Sequence, residues 1–257
     1  MQTPTVDLAV HVNAPIVTVF AQPAADARCT SEALYGEVIE VLAKQGDWLE
    51  IRQQRDGYKG FVEARHLTKP DSSASPVNSH WVSQRSTLLF QQADLKSPLS
   101  HRIPFGSELA LSDTTTHSFS KTACGHYVWT AHCLPLSESH PANPLELASS
   151  LFLGSPYLWG GRSPAGIDCS GLVQALARSQ GITLPRDSGD QEVWLQTDVE
   201  ADDYRAMDLV FWPGHTGILI STDQILHATA HTLNCLIEPL DDVISRAGPV
   251  SSVKRIF

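Results

Sequence analysis

The chain has 257 residues, with 28 Asp+Glu against 18 Lys+Arg, a formal net charge of −10 at pH 7 and 42% hydrophobic residues. That apolar content rules out a disordered chain. The acidic balance excludes nucleic acid or an anionic membrane as the main partner, because both demand clustered Lys and Arg. The length suits one large domain or two to three small ones. No apolar run approaches the ~18 residues of a membrane span. The first cation is Arg28, and Asp7, His11 and Asn13 interrupt any apolar run before it, so the expectation is a cytoplasmic chain without a signal peptide. Five cysteines, Cys29, Cys124, Cys133, Cys169 and Cys235, are an odd and irregular set. They predict no disulfide framework and leave room for one reactive thiol.

In chain order, two polar stretches at 70–80 and 135–144 are rich in Pro and Ser and read as linkers. They divide the chain into 1–70, 78–136 and 140–257. The first two pieces resemble each other. Val19-Phe20 is answered by Leu89-Phe90, and Leu34-Tyr35-Gly36-Glu37 by Pro104-Phe105-Gly106-Ser107-Glu108, in both cases 70 residues on. Alternating β-type segments follow at 37–42, 48–52 and 60–62, the last two joined at Asp56-Gly57, and the second piece closes on Tyr127-Val128-Trp129. A repeated unit of about five short strands predicts two small β-barrels.

The third piece changes character. A helical lead-in at 145–152 gives way to a glycine-rich loop over 154–161. A helix is predicted over 170–180, with Asp168 as N-cap, Leu172, Val173 and Leu176 on one face, and Gly181 just past its end. Segments 208–212, 216–221, 224–229 and 233–240 read as successive antiparallel strands, making an α+β domain.

Cys169 opens the predicted helix, where unpaired N–H groups and the helix dipole are expected to favour thiolate and to receive an oxyanion. A base and a group that orients it are then required. His215 and His227 lie on neighbouring predicted strands and supply both. With eleven histidines and five cysteines to combine, spacing alone leaves inert core residues equally open.

Five segments decide how the third piece is read: Pro156-Tyr157-Leu158-Trp159-Gly160-Gly161, Asp168-Cys169-Ser170-Gly171-Leu172-Val173, Leu184-Pro185-Arg186-Asp187-Ser188, His215-Thr216-Gly217-Ile218-Leu219 and Ile225-Leu226-His227-Ala228. Together they resemble the signature of the NlpC/P60 cysteine peptidases. The N-terminal duplication resembles the paired bacterial SH3 (SH3b) modules that precede this domain in γ-D-glutamyl-L-diamino acid endopeptidases. The resemblance implies a papain-like, permuted α+β catalytic domain behind two SH3b-type barrels.

It also implies Cys169 as nucleophile, His215 as general base, His227 as its orienting partner and Tyr157 as an oxyanion donor beside the Cys169 N–H. Asp168, Ser170 and Ser188 match positions that line the cleft. Arg186 is the local cation for a substrate carboxylate, unless it pairs with Asp187 or Asp190. Asp168, as a cap with a lone pair to spare, and Glu37, with Tyr58 beside it, are the candidates to hold a free amino terminus.

The implied reaction is hydrolysis of the γ-D-Glu–diamino acid bond of a murein peptide beginning with L-Ala. A catalytically silent wall-fragment binder and an amide acyltransferase with the same Cys/His/His set are the alternatives. The turn 205–209 and the short 211–215 segment with Pro213-Gly214 depart from the family pattern, which questions the loop before His215. Cys124 and His126 with His132 and Cys133 match no zinc spacing and read as structural, so neither metal nor cofactor is expected.

Overall fold

The structure, a computed structural model, describes residues 8–68 and 77–257; the expected linker over 70–80 falls outside it up to position 76. Two compact units divide between His140 and Pro141. Among the described residues no helix is long and apolar enough to cross a membrane.

The first unit begins with β1 (Leu8–Val12), β2 (Ile16–Phe20), β3 (Cys29–Leu34), β4 (Val38–Gln45), β5 (Trp48–Gln53), β6 (Lys59–Glu63) and β7 (Leu67–Thr68), hydrogen-bonded in the order β3-β2-β6-β5-β4-β1-β7. Alternation within these strands turns Val17, Val19, Ile39, Val41, Ile51 and Val62 into one apolar core.

The second half of the unit has β8 (His80–Val82), β9 (Ser86–Phe90), β10 (Leu99–Pro104), β11 (Glu108–Leu109), β12 (Leu111–Thr116), β13 (Phe119–Thr122), β14 (Tyr127–Trp129) and β15 (Cys133–Pro135). Its sheets run β10-β9-β14-β13-β12 and β11-β8-β15. This is the first set's order, with the counterpart of β4 interrupted at Ala110. The two turns that seeded the repeat agree in detail. Gly36 and Gly106 adopt φ +80° and +85° and donate to Val12 O and Val82 O at 2.8 and 2.9 Å. Only glycine takes that left-handed backbone without strain.

The second unit opens with α1 (Pro144–Leu151), capped by Asn143 accepting from the Glu146 N–H at 2.9 Å. A short ladder, β16 (Arg162–Ser163) with β17 (Gly166–Ile167), leads to α2 (Cys169–Ser179) and then α3 (Ser188–Trp194). An antiparallel sheet follows, β18 (Leu209–Trp212), β19 (His215–Leu219), β20 (Gln224–Thr229), β21 (Asn234–Pro239) and β22 (Ser252–Lys254), in the order β21-β20-β19-β18-β22. Between β21 and β22 lies α4 (Leu240–Ala247). Residues of β18 to β20 are buried almost throughout. Leu240 and Val243 of α4 join Val210, Trp212, Leu219 and Ile225 in one core, while α2 packs on β19 and β20. The sequence reading missed α3, α4 and β22, and it ran β21 on into the first residue of α4.

Candidate active site

α2 starts at Cys169, one residue before the predicted 170, because Asp168 caps it as expected. Asp168 Oδ1 accepts from the Gly171 N–H at 2.7 Å, and Gly181 beyond the helix end takes φ +77°. The glycine-rich loop folds tightly against this helix start. A Cβ on Gly161 would sit 2.4 Å from Gly166 O, and one on Gly171 only 2.3 Å from Gly161 O.

Cys169 is 6% exposed, and the amide N–H groups of Thr216 and Ser170 point at its sulfur. Thr216 follows His215, so the sulfur lies against β19 one residue from the expected base. Among the described residues no protein acceptor takes the Cys169 N–H itself. Burial, with the Asp168 carboxylate, pushes the Cys169 thiol up to about 11, despite those two N–H groups and Arg186. The expectation that the helix terminus favours thiolate is therefore corrected: desolvation outweighs the dipole, and the group rests as a thiol.

The Asp168 carboxylate does more than cap. Its Oδ1 also accepts from Arg186 Nη1 at 2.9 Å and Ser170 Oγ at 3.3 Å, and its Oδ2 from Arg186 Nη2 at 2.6 Å and the Gly160 N–H at 2.8 Å. Arg186 is 2% exposed and donates further to Ser170 Oγ and Gly161 O. Two expectations fail here for one reason. Arg186 spends its guanidinium on Asp168, Ser170 and Gly161 and offers no free charge to a substrate carboxylate, and Asp168 has no lone pair left over. A buried guanidinium and a buried carboxylate meet each other's need for compensation first.

Tyr157, half-buried, bridges to Ile167 two residues before the cysteine. Burial, then Cys169 and Asp168, raise its phenol well above the ordinary range, so it is a hydrogen-bond donor at any working pH. Ser188 opens α3 and is 8% exposed.

On the sheet, Trp212 pairs with His215 across the two-residue turn Pro213-Gly214, with Gly214 at φ +74°. The departure that questioned this loop is thus a tight hairpin that starts β19 at His215. Ile218 pairs with Leu226, which sets Gly217 opposite His227 and His215 on the diagonal of the same face. A Cβ on Gly217 would lie 2.8 Å from His227 Cβ, so the glycine clears the space His227 occupies.

His215 Nε2 and His227 Nδ1 are 2.7 Å apart. His227, 0% exposed, reaches Glu238 Oε1 through Nε2, also at 2.7 Å, and Arg246 Nη2 donates to the same oxygen at 2.5 Å. Burial, then the neighbouring His227 and Arg246, push His215 down to about 4, with Glu238 opposing. Burial likewise lowers His227. The sequence reading missed Glu238 and Arg246. Glu238 sits eleven residues beyond His227 on an adjacent strand, and Arg246 lies on the unforeseen α4. His231 is exposed.

In the first unit, Glu37 is 4% exposed. Its Oε2 accepts from the Leu34 N–H at 2.9 Å, and its Oε1 lies 3.4 Å from Arg55 Nε; Arg55 also pairs with Glu108. The expectation that Glu37 offers an uncommitted carboxylate is corrected by those partners. Tyr58 is half-buried, its N–H donating to Asp56 Oδ1 at 3.0 Å. The Cys/His cluster splits up: Cys133 is in the apolar core, His132 bonds Thr87, and Cys124 meets Thr122, Tyr35 and His126.

A thiol at a helix start, against the strand of an imidazole that a second imidazole holds, is the equipment of a cysteine peptidase. Comparison with known proteins agrees. The NlpC/P60 family profile matches residues 154–246, and that of the bacterial dipeptidyl-peptidase SH3 domain matches residues 19–67. The γ-D-glutamyl-L-lysine dipeptidyl-peptidase of Bacillus subtilis is 29% identical over 88% of this chain and 81% of its own length. Dipeptidyl-peptidase 6 of Lysinibacillus sphaericus is 26% identical over 90% and 91%. The crystal structure of an NlpC/P60 family protein from Bacillus cereus shares the fold, with a TM-score of 0.83 at 20% identity over 96% of this chain and 99% of that one. Residues 154–246 thus carry the NlpC/P60 domain of a cysteine peptidase, on an α+β fold, preceded at 19–67 by a bacterial SH3 domain.

Proposed function

We propose that the chain hydrolyses the amide between the γ-carboxyl of D-glutamate and a diamino acid, in murein-derived peptides that begin with a free L-Ala, as a step of murein peptide recycling. One observation carries this reading. The Cys169 sulfur lies against β19 at the Thr216 N–H, one residue from His215, which pairs with His227, in a chain aligned over most of its length with a relative named for γ-D-glutamyl-L-lysine.

The chemistry follows from the resting protonation states. His215 takes the thiol proton as Sγ attacks the γ-carbonyl, so charge appears only as the bond forms. The Cys169 N–H and the Tyr157 hydroxyl receive the oxyanion. The imidazolium returns its proton to the departing amine, leaving a thioester on Cys169. Water deprotonated by His215 then attacks the thioester, and the released sulfur recovers its proton from His215.

Asp168, Ser170 and Arg186 hold the helix start, and with Ser188 they form the wall beside it.

A panel of L-Ala-γ-D-Glu-L-Lys, its diaminopimelate counterpart and their N-acetylated forms tests the reading. The free peptides are expected to be cut at the γ-bond and the acetylated ones far more slowly, and Cys169→Ala is expected to abolish turnover. Cleavage by Cys169→Ala overturns the mechanism, and equal rates on acetylated peptide overturn the amine recognition.

A further inference from the structure

Four side chains form an unbroken line across one face of the sheet: His215, His227, Glu238 and Arg246. The register explains the line. Ile225 pairs with Glu238, so Glu238 lies on the diagonal from His227, just as His215 does on the other side. Arg246, in the last turn of α4, closes the row.

Each link has a direction that hydrogen-bond chemistry dictates. Glu238 receives a guanidinium and a ring nitrogen on the same oxygen, and an ionised carboxylate only accepts. His227 must therefore carry its proton on Nε2. A neutral imidazole has one N–H, so His227 Nδ1 is an acceptor. His215 must then donate from Nε2, and its own single proton is spent there. His215 Nδ1 is left with a lone pair. The opposite arrangement would set a bare His227 Nε2 against the Glu238 carboxylate at 2.7 Å, two acceptors facing each other with His227 fully buried, which costs the hydrogen bond and adds repulsion.

We infer that Glu238, clamped by Arg246, is a positioning residue that fixes the tautomers of both histidines, so that His215 presents a bare Nδ1 as the base. This rests on the proposed role of His215. Glu238 touches no reacting atom; it acts through His227. When His215 takes up the thiol proton, the positive charge stays on its ring, and the line of hydrogen bonds to the Glu238 carboxylate stabilises it there without any proton moving along it.

Nitrogen-15 NMR of the histidine side chains in the wild-type enzyme reads the tautomers directly. It is paired with steady-state kinetics on L-Ala-γ-D-Glu-L-Lys for Glu238→Gln and Glu238→Leu. The expected wild-type spectrum has Nε2 protonated and Nδ1 bare on both rings. The Gln variant, whose amide oxygen still accepts, should keep that pattern and lose kcat only a few-fold. The Leu variant, with no acceptor, should mix the tautomers and lose kcat about 10–100-fold with KM unchanged, the range seen when a group that orients a metal-ligating histidine is removed.

A proton on His215 Nδ1 in the wild type overturns the inference. So does a folded Leu variant with wild-type kcat. The wild-type spectrum needs no variant to fold. It also separates the two readings: a bare Nδ1 in an enzyme that leaves every murein peptide intact refutes the substrate and upholds the tautomer lock. Cleavage by an enzyme whose Nδ1 is protonated does the reverse.

Discussion

Asp168 and Glu238 are both carboxylates held by an arginine, one on the cysteine side of the site and one on the histidine side, yet their surroundings differ. Asp168 accepts five hydrogen bonds from Gly160, Ser170, Gly171 and Arg186 and is closed on every side. Glu238 puts one oxygen on two donors, Arg246 and His227, and passes the consequence along a row of rings that ends at an open lone pair. The first arrangement immobilises the start of a helix. The second imposes direction on a row of hydrogen bonds. Equal pieces thus do different work according to whether a neighbour that can reorient, here an imidazole with two tautomers, lies in the chain of bonds.

The largest way to break the contrast is to remove Arg186. Losing one partner of a buried pair strands the other, at a cost of about 3–5 kcal/mol. Arg186→Ala should therefore lower the unfolding midpoint in urea by an amount of that order, at unchanged slope, with activity falling as the helix start loosens. Arg186→Lys restores charge but not the fork that spans both Asp168 oxygens, and should recover only part of the loss. If Arg186→Ala unfolds like the wild type, the Asp168 network is not what holds α2 in place.

Much of this was legible in the sequence wherever a local rule decides the structure. The 70-residue echo between Tyr35-Gly36 and Phe105-Gly106 is a repeated positive-φ turn, and turns are local. Asp168 and Gly181 bracket α2 because capping is local too. What escaped depends on which strands become neighbours. Glu238 was invisible because only the β20–β21 register brings it to His227. The charge of Arg186 was read, but not its burial, which turns a candidate ligand for substrate into a strut for Asp168. The thiol of Cys169 was misjudged for the same reason: the dipole is written in the sequence, whereas the desolvation that opposes it comes from packing.

A subtler break is steric. Gly217→Ala adds one methyl opposite His227, where the new Cβ would come within 2.7 Å of Ile225 Cδ1 and 2.8 Å of His227 Cβ. Overpacking of this kind costs about 1–3 kcal/mol. Here the displaced side chain is the one that sets the tautomer of His215, so the loss should fall on kcat, about 10-fold or more, with little change in KM. An equal methyl on the capped side behaves differently: Gly171→Ala would push on Gly161 O, backbone that cannot step aside, and should show first as lost stability. Steady-state kinetics beside denaturant unfolding of the two variants separates the effects.

The smallest expected effect is in the titration of the unliganded enzyme, and its sign is fixed by burial. Cys169 is pushed up to about 11 and His215 down to about 4, so at neutral pH the two stand as thiol and neutral imidazole and not as an ion pair. Thiolate ultraviolet absorbance, taken as wild type minus Cys169→Ala, should be absent at neutral pH and grow only as pH climbs toward about 11. The lowered histidine adds a stability signature. Between its ordinary 6.5 and about 4 the unfolded chain takes a proton on this ring that the folded chain refuses. Its contribution to folding is therefore intact above that window and is lost as pH falls through it. Replacing His215 by Gln should flatten that part of the stability curve. A thiolate signal already full at neutral pH would mean instead that the proton has crossed to His215 before substrate arrives, with Glu238 stabilising an imidazolium at rest.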